Sequence, residues 1–235
     1  LAVKNVSVPN EIKNISFELH RGEILGIGGL SECGMHEVGK AVFGASYDRK
    51  GEVVLEDGTQ IDSIPTAIKH SIAYVSKDRD NESLVVNDSI RDNICLPSMD
   101  RLGKNHILLN KNLSKFANEY AELVSVKMTN INQFVSDLSG GNKQKVALAR
   151  WIGRDSDILV FDSPTRGIDV KVKADIYALM SKMKEQGKSI ILISEEILEL
   201  LGMCDRILVM KDGSLSGEFM RDPALTEEDF IAKMV

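Results

Sequence analysis

The sequence predicts an α/β fold: a mostly parallel sheet core, an antiparallel β-subdomain at its N-terminal end, and an inserted α-helical subdomain. Three observations predict it. The first twenty residues alternate apolar and polar side chains, as half-buried antiparallel strands do. Three short apolar runs, EILGIG (Glu23–Gly28), DILVF (Asp157–Phe161) and KSIILI (Lys188–Ile193), are separated by helical periodicity, the pattern of buried parallel strands joined by helices. From about Asp78 to Val135 the periodicity turns helical and interrupts that alternation.

In chain order, Leu1–Val8 and Ile12–His20 read as strands, Arg21-Gly22 as a turn, and Glu23–Gly28 as a strand feeding a glycine-rich loop. Met35–Phe43 reads as a helix, Gly51–Glu56 as a strand closed by a tight turn at Asp57-Gly58, and Ile72–Val75 as a buried strand. Pro65 opens a short helix between them. In the helical stretch Phe116, Tyr120, Leu123 and Val124 mark one face, while Pro97 and the polar stretch around Arg101–Asn105 separate its helices. The α/β pattern resumes at Asp157–Phe161, which ends in Asp162. Val172, Ile176, Leu179, Met180 and Met183 form the core stripe of one helix rather than a cofactor-binding methionine set. Lys188–Ile193, Arg206–Met210, a turn at Asp212-Gly213 and Leu215–Phe219 complete the sheet. Thr226 caps a closing helix, Thr226–Met234, with Glu227, Glu228 and Asp229 at its positive end. Residues 1–235 read as a single domain, with 1–77 and 137–235 as the core and β-subdomain and 78–136 as the helical subdomain.

Composition excludes several classes. A net charge of −6 argues against a chain built to coat nucleic acid. No apolar run approaches the roughly 18–20 residues that span a bilayer, and LAVKNVSVPN carries no charged-then-apolar signal segment. The first residue is not Met, so a domain of a longer polypeptide is expected. Cys33, Cys95 and Cys204 are far apart and odd in number, which fits reduced thiols and no disulfide or zinc framework. Glu32 beside Cys33 is expected to raise that thiol's pKa. His20, His36, His70 and His106 make no metal-ligand pair, and only His36 stands at a position of interest.

That position lies in GLSECGMHEVGKAVFG, Gly29–Gly44. A working phosphate loop reads Gly-x-x-x-x-Gly-Lys-Ser/Thr before a helix. Gly29 and Gly34 keep the glycine spacing, with Ser31 inside the loop, but Met35 and His36 stand where lysine and a hydroxyl are needed, and Glu37 follows them. Two further features accompany it. LSGGNKQ (Leu138–Gln144) precedes the helix KVALARWIGR, with Gly140 and Gly141 letting backbone amides approach an anion at a helix N-terminus. The competing reading is an ordinary helix cap by Ser139, which would not need two glycines. In DILVFDSPTRGID an apolar strand ends in Asp162, the usual place for a magnesium-holding carboxylate beside a phosphate loop.

In this order, the three features resemble the nucleotide-binding domain of ABC transporters, whose signature is LSGG, and the resemblance covers nearly the whole chain. It implies a P-loop NTPase-like core. The segments LSGGNKQKVALARW, SPTRGIDVKVKADIY, ISEEILELLGMCDRILVM and SGEF resemble the second, C-terminal ATP-binding domain of the ribose/galactose/xylose-type sugar importer ATPases. SKDR (Ser76–Arg79) matches a KDR-like segment of that group, in which one polypeptide carries two such domains.

The departures are as informative. The family's loop lysine holds the β- and γ-phosphates and corresponds to Met35; the hydroxyl that helps hold magnesium corresponds to His36. The water-polarising glutamate corresponds to Ser163, the loop glutamine to Lys77, and the switch histidine to Glu195. Losing one such electrostatic group typically costs roughly 10²–10³ in rate. Lys40 is no replacement, lying roughly 7.5 Å further along the helix and off its face. Glu32 and Glu37 place negative charge where phosphate would sit. Weak or absent ATP binding at this loop and no hydrolysis by this domain alone are expected, with Asp162 the remaining candidate magnesium ligand and Lys77 a candidate partner for its charge.

Function is expected to survive in the signature. In the family two domains dimerise head to tail, so Ser139, Gly140, Gly141 and Gln144 would serve ATP and magnesium held by a companion domain. Asp169 would lie at that interface, and the helical subdomain with Ser76–Arg79 would face a sugar permease, placing the chain on the cytoplasmic face of the membrane. Alternatives are an active ATPase of the same transporter class and a regulatory dimerisation module without hydrolysis of its own. A chromosome-maintenance ATPase would need a long coiled-coil insert, and no sustained heptads are present.

Overall fold

A computed structural model describes residues 1–103 and 107–234. His106 and the end of the Arg101–Asn105 stretch lie outside the described residues. In chain order the elements are β1 (Ala2–Val8), β2 (Ile12–Glu18), β3 (Ile24–Gly29), α1 (Met35–Val42), β4 (Lys50–Val54), α2 (Ile64–Lys69), β5 (Ile72–Val75), α3 (Ile90–Cys95), α4 (Met99–Leu102) and α5 (Asn110–Leu123). There follow α6 (Gly140–Gly153), β6 (Ile158–Asp162), α7 (Val170–Glu185), β7 (Ser189–Ser194), α8 (Ile197–Met203), β8 (Arg206–Lys211), β9 (Ser214–Met220) and α9 (Glu227–Met234).

The chain divides into two compact units, residues 1–74, 157–163 and 177–235 in the first and residues 75–156 and 164–176 in the second. The second unit therefore takes in α6 and the start of α7 as well as the 78–136 stretch.

In the first unit, one sheet has the order β2-β1-β4 and is antiparallel; its alternation turns Val6, Val8, Ile12 and Ile15 inward. The other has the order β5-β6-β7-β3-β8-β9. β6, β7, β3 and β8 run parallel, which brings the carboxyl ends of β6, β7 and β3 side by side, and β9 returns antiparallel from the Asp212-Gly213 turn. β3 and β7 are buried throughout, as their continuous apolar runs require. α8 was not signalled by periodicity: its LLGM sequence is short, and the glycines beneath it decide its place. A Cβ on Gly26 would fall 2.8 Å from Cys204 Sγ, and one on Gly28 2.4 Å from a Leu200 methyl, so α8 lies flush on β3. The closing helix is capped as the sequence predicts. Thr226 N–H and Oγ1 both donate to Asp229 (2.9 and 2.8 Å), and Asp229 N–H returns a bond to Thr226 Oγ1.

In the second unit the buried face of α5 is Leu113, Ala117 and Ala121, with Val124 just beyond it. Leu123, read as part of the apolar face, is 49% exposed. Phe116 and Tyr120 instead stack against α6, where Gly153 leaves room: a Cβ there would meet the Phe116 ring at 2.8 Å. α6 also corrects the sequence reading. The helix does not follow LSGGNKQ but begins at Gly140, so the glycines form its first turn and Ser139 is its N-cap residue.

Gly153→Val forces the Phe116 ring aside and is expected to lower stability by about 1–3 kcal/mol in urea unfolding, while Leu123→Ala stays within about 0.5 kcal/mol.

Candidate functional site

The glycine loop joins β3 to α1, at the carboxyl end of the parallel sheet where α/β proteins bind ligands. Both glycines of its frame answer to protein contacts. A Cβ on Gly29 would lie 2.6 Å from the Met210 carbonyl and 2.4 Å from Cys33 Sγ. Gly34 has φ 91° and lies under the β1–β2 turn, where a Cβ would meet Ile12 Cγ2 at 2.6 Å and Glu11 O at 2.7 Å. Lys13 N–H to Gly213 O and Gly213 N–H to Cys33 O stitch that turn, the β8–β9 turn and the loop together. The spacing is thus fixed by shape even without an anion.

α1 carries Met35, Val38, Gly39 and Val42 on its buried face. Met35 is completely buried, so the residue standing in the lysine position is a core side chain. Gly39 lets the helix sink onto the sheet: a Cβ there would touch Ile193 Cδ1 at 2.6 Å and Val160 Cγ1 at 3.3 Å. His36 lies one turn earlier on the same side. Its Nδ1 reaches Asp162 Oδ1 at 2.6 Å, and its Nε2 faces Glu195 Oε1 at 3.5 Å. The Tyr74 hydroxyl donates to the other Asp162 oxygen at 2.9 Å, and its ring stacks on Phe43. Ser31 Oγ donates to Glu195 Oε1 at 3.4 Å. Ser163 follows Asp162 in the left-handed region, with φ 49°, and its hydroxyl also leans on that carboxylate at 3.4 Å.

Gly29, Ser31, Gly34, Met35, His36, Asp162, Ser163 and Glu195 therefore gather at one end of the first unit; Lys77 belongs to the second. Asp162 is buried, and within its own unit its Oδ1 lies against the His36 imidazole. A carboxylate so engaged by imidazole and phenol does not fit a magnesium ion. Among the described residues no group of three or more His, Cys, Asp or Glu side chains could hold a metal. Burial pushes the Cys33 thiol up, with Glu37 and Glu195 adding to the effect; Glu32, to which the sequence pointed, is not among the causes. Cys95 is pushed up to about 11 and Cys204 higher still, also chiefly by burial.

The signature segment lies in the second unit. Ser139 is exposed and makes no side-chain bond to the helix backbone; its Oγ accepts from Asn142 Nδ2 at 3.0 Å. An ordinary cap would bond the first amides of α6, and here the cap side chain makes no such bond. Gln144 is buried with an unpartnered Nε2, so its side chain does not share the surface of the exposed Ser139. Sequence reasoning did not find Arg79 here. Its guanidinium donates to Arg166 O at 3.2 Å and lies 2.9 Å from where a Gly140 Cβ would be. Asp169 is exposed and caps α7, accepting from Val172 N–H at 3.0 Å.

A parallel α/β sheet with a glycine loop after one strand and an aspartate ending its neighbour but one defines the frame of a phosphate-loop protein. A profile of the ABC transporter family matches residues 12–166, and the chain belongs to that family. It is 44% identical over 230 residues to the ribose import ATP-binding protein RbsA of Clostridium tetani, covering 97% of this chain and 46% of that protein. It is 45% identical over 219 residues to the xylose import ATP-binding protein XylG of Thermoanaerobacter pseudethanolicus, covering 92% and 43%. The chain thus spans about half the length of these relatives. Among solved structures, the dimeric post-hydrolysis state of an ATP-binding cassette bound to ADP and Pi superposes with a TM-score of 0.81 at 22% identity, covering 94% of this chain and 98% of that one.

Since Gly34 is required by Ile12 and Glu11, Gly34→Ala is expected to cost about 2 kcal/mol or more, equally with and without nucleotide, in thermal unfolding followed by circular dichroism.

Proposed function

We propose that this chain is the second nucleotide-binding domain of a monosaccharide importer, that its own phosphate loop is catalytically degenerate, and that it acts by supplying its signature to the ATP site of a companion domain. The observation that carries this reading is the His36 imidazole on Asp162 at 2.6 Å, in a loop without lysine; the second unit adds an α6 N-terminus that its cap side chain does not bond. The likeness to ribose and xylose import proteins of about twice its length supports the sugar class and a companion domain in the same polypeptide.

The roles within the chain follow from its geometry. The Ser139 hydroxyl and the amides of Gly140 and Gly141 present donors to a phosphate held by the companion, and the helix dipole favours negative charge there. ATP with magnesium at that composite site supplies the free energy of phosphoryl transfer. Arg79 braces the Gly140 turn against Arg166, keeping the donors in place. The second unit, with Ser76–Arg79, faces a transmembrane permease. Attachment is peripheral, at the cytoplasmic face through that permease; among the described residues no helix is long and apolar enough to cross a membrane.

Titration of the chain with a fluorescent ATP analogue and magnesium tests the degenerate loop, and no saturable binding is expected. In the assembled transporter, Ser139→Arg is expected to lower ATP-driven sugar uptake by roughly 10²-fold or more. Met35→Leu, which keeps the core volume and brings no charge, should leave uptake within about twofold. Sensitivity to Met35→Leu with tolerance of Ser139→Arg would reverse the assignment of the two sites.

A further inference from the structure

We propose that the loop is held closed from within, by an internal chain of side chains that stands in for the metal–phosphate pair: Ser31–Glu195–His36–Asp162–Tyr74. This rests on the degenerate-loop reading above and adds how that loop behaves when empty. In a working site a cation on the strand-end carboxylate and an anion on the loop order the loop together. Here an imidazole takes the cation's place on Asp162, and the Glu195 carboxylate takes the anion's place on the Ser31 hydroxyl. The two substitutes face each other across 3.5 Å. The chain of contacts ties the loop, the first turn of α1 and the ends of β5, β6 and β7.

Glu195 is suited to the part because it is the first residue past β7, whose neighbours in the sheet are β3 and β6. Its backbone is anchored on either side. Ser194 Oγ bonds Glu199 and accepts from Glu196 N–H, which aims the intervening side chain toward the loop. Half-exposed, it is the member of the chain a solvent anion must displace. The loop is then ordered without nucleotide, and this half of the protein does not open and close with the ATP cycle.

Hydrogen exchange of the whole chain, without nucleotide, tests this through peptides covering residues 29–38. In the wild type these amides are expected to be protected, and unchanged on adding magnesium with a non-hydrolysable ATP analogue. Glu195→Gln, nearly isosteric at a half-exposed position, is expected to raise their exchange by roughly threefold or more while the β8–β9 hairpin stays unchanged. His36→Gln should do the same. A wild-type loop that exchanges freely until the analogue is added, or a Glu195→Gln loop that exchanges less than about threefold faster, overturns the proposal. Analogue binding to a loop already protected would defeat the degenerate-loop reading and leave the internal chain standing.

Discussion

The carboxyl end of the main sheet depends on one close approach, that of α1 to β6 and β7 at Gly39. Without a Cβ there the helix sinks, and the residue one turn earlier is carried to the strand-end carboxylate. His36 can bond Asp162 only because of that depth. Asp162 needs such a partner: a carboxylate 1% exposed and left alone would cost several kcal/mol. Tyr74 takes the remaining oxygen, so the buried charge is satisfied from two sides before any ligand arrives. Electrostatics and packing therefore agree on a closed loop.

The second unit solves the opposite problem. Helix N-termini leave amides unsatisfied, and most proteins consume them with a cap. At α6 the cap residue turns its hydroxyl to Asn142 instead, and Arg79 and Asp80 pack the outside of the turn, Asp80 through Lys143 at 3.2 Å. In one site the polar groups bond one another, and in the other the cap hydroxyl bonds a side chain and not the helix backbone.

Much of this was legible in the sequence. Continuous apolar runs gave β3, β6 and β7 because strands covered on both faces need nothing else, and Thr226 and Asp229 announced a capped helix. The departures at Met35, His36, Ser163 and Glu195 stood out against a known motif frame. What was hidden depends on glycine and on three-dimensional pairing. α8 sits where Gly26 and Gly28 leave space, the buried face of α5 runs through alanines that periodicity undervalues, and α6 starts on the two glycines that propensity would place outside it. The His36–Asp162 bond could not be read either, since it depends on how deep α1 sits on the sheet.

The steric reason for Gly29 and Gly34 separates two properties that the motif normally joins. Backbone shape is enforced by Met210, Cys33, Ile12 and Glu11, whereas charge resides in the residues that follow. A lineage can therefore exchange Lys-Ser/Thr for Met-His without unfolding the domain, yet it cannot as readily lose the glycines. The glycine spacing therefore records an architecture, whatever the residues that follow it do with a ligand.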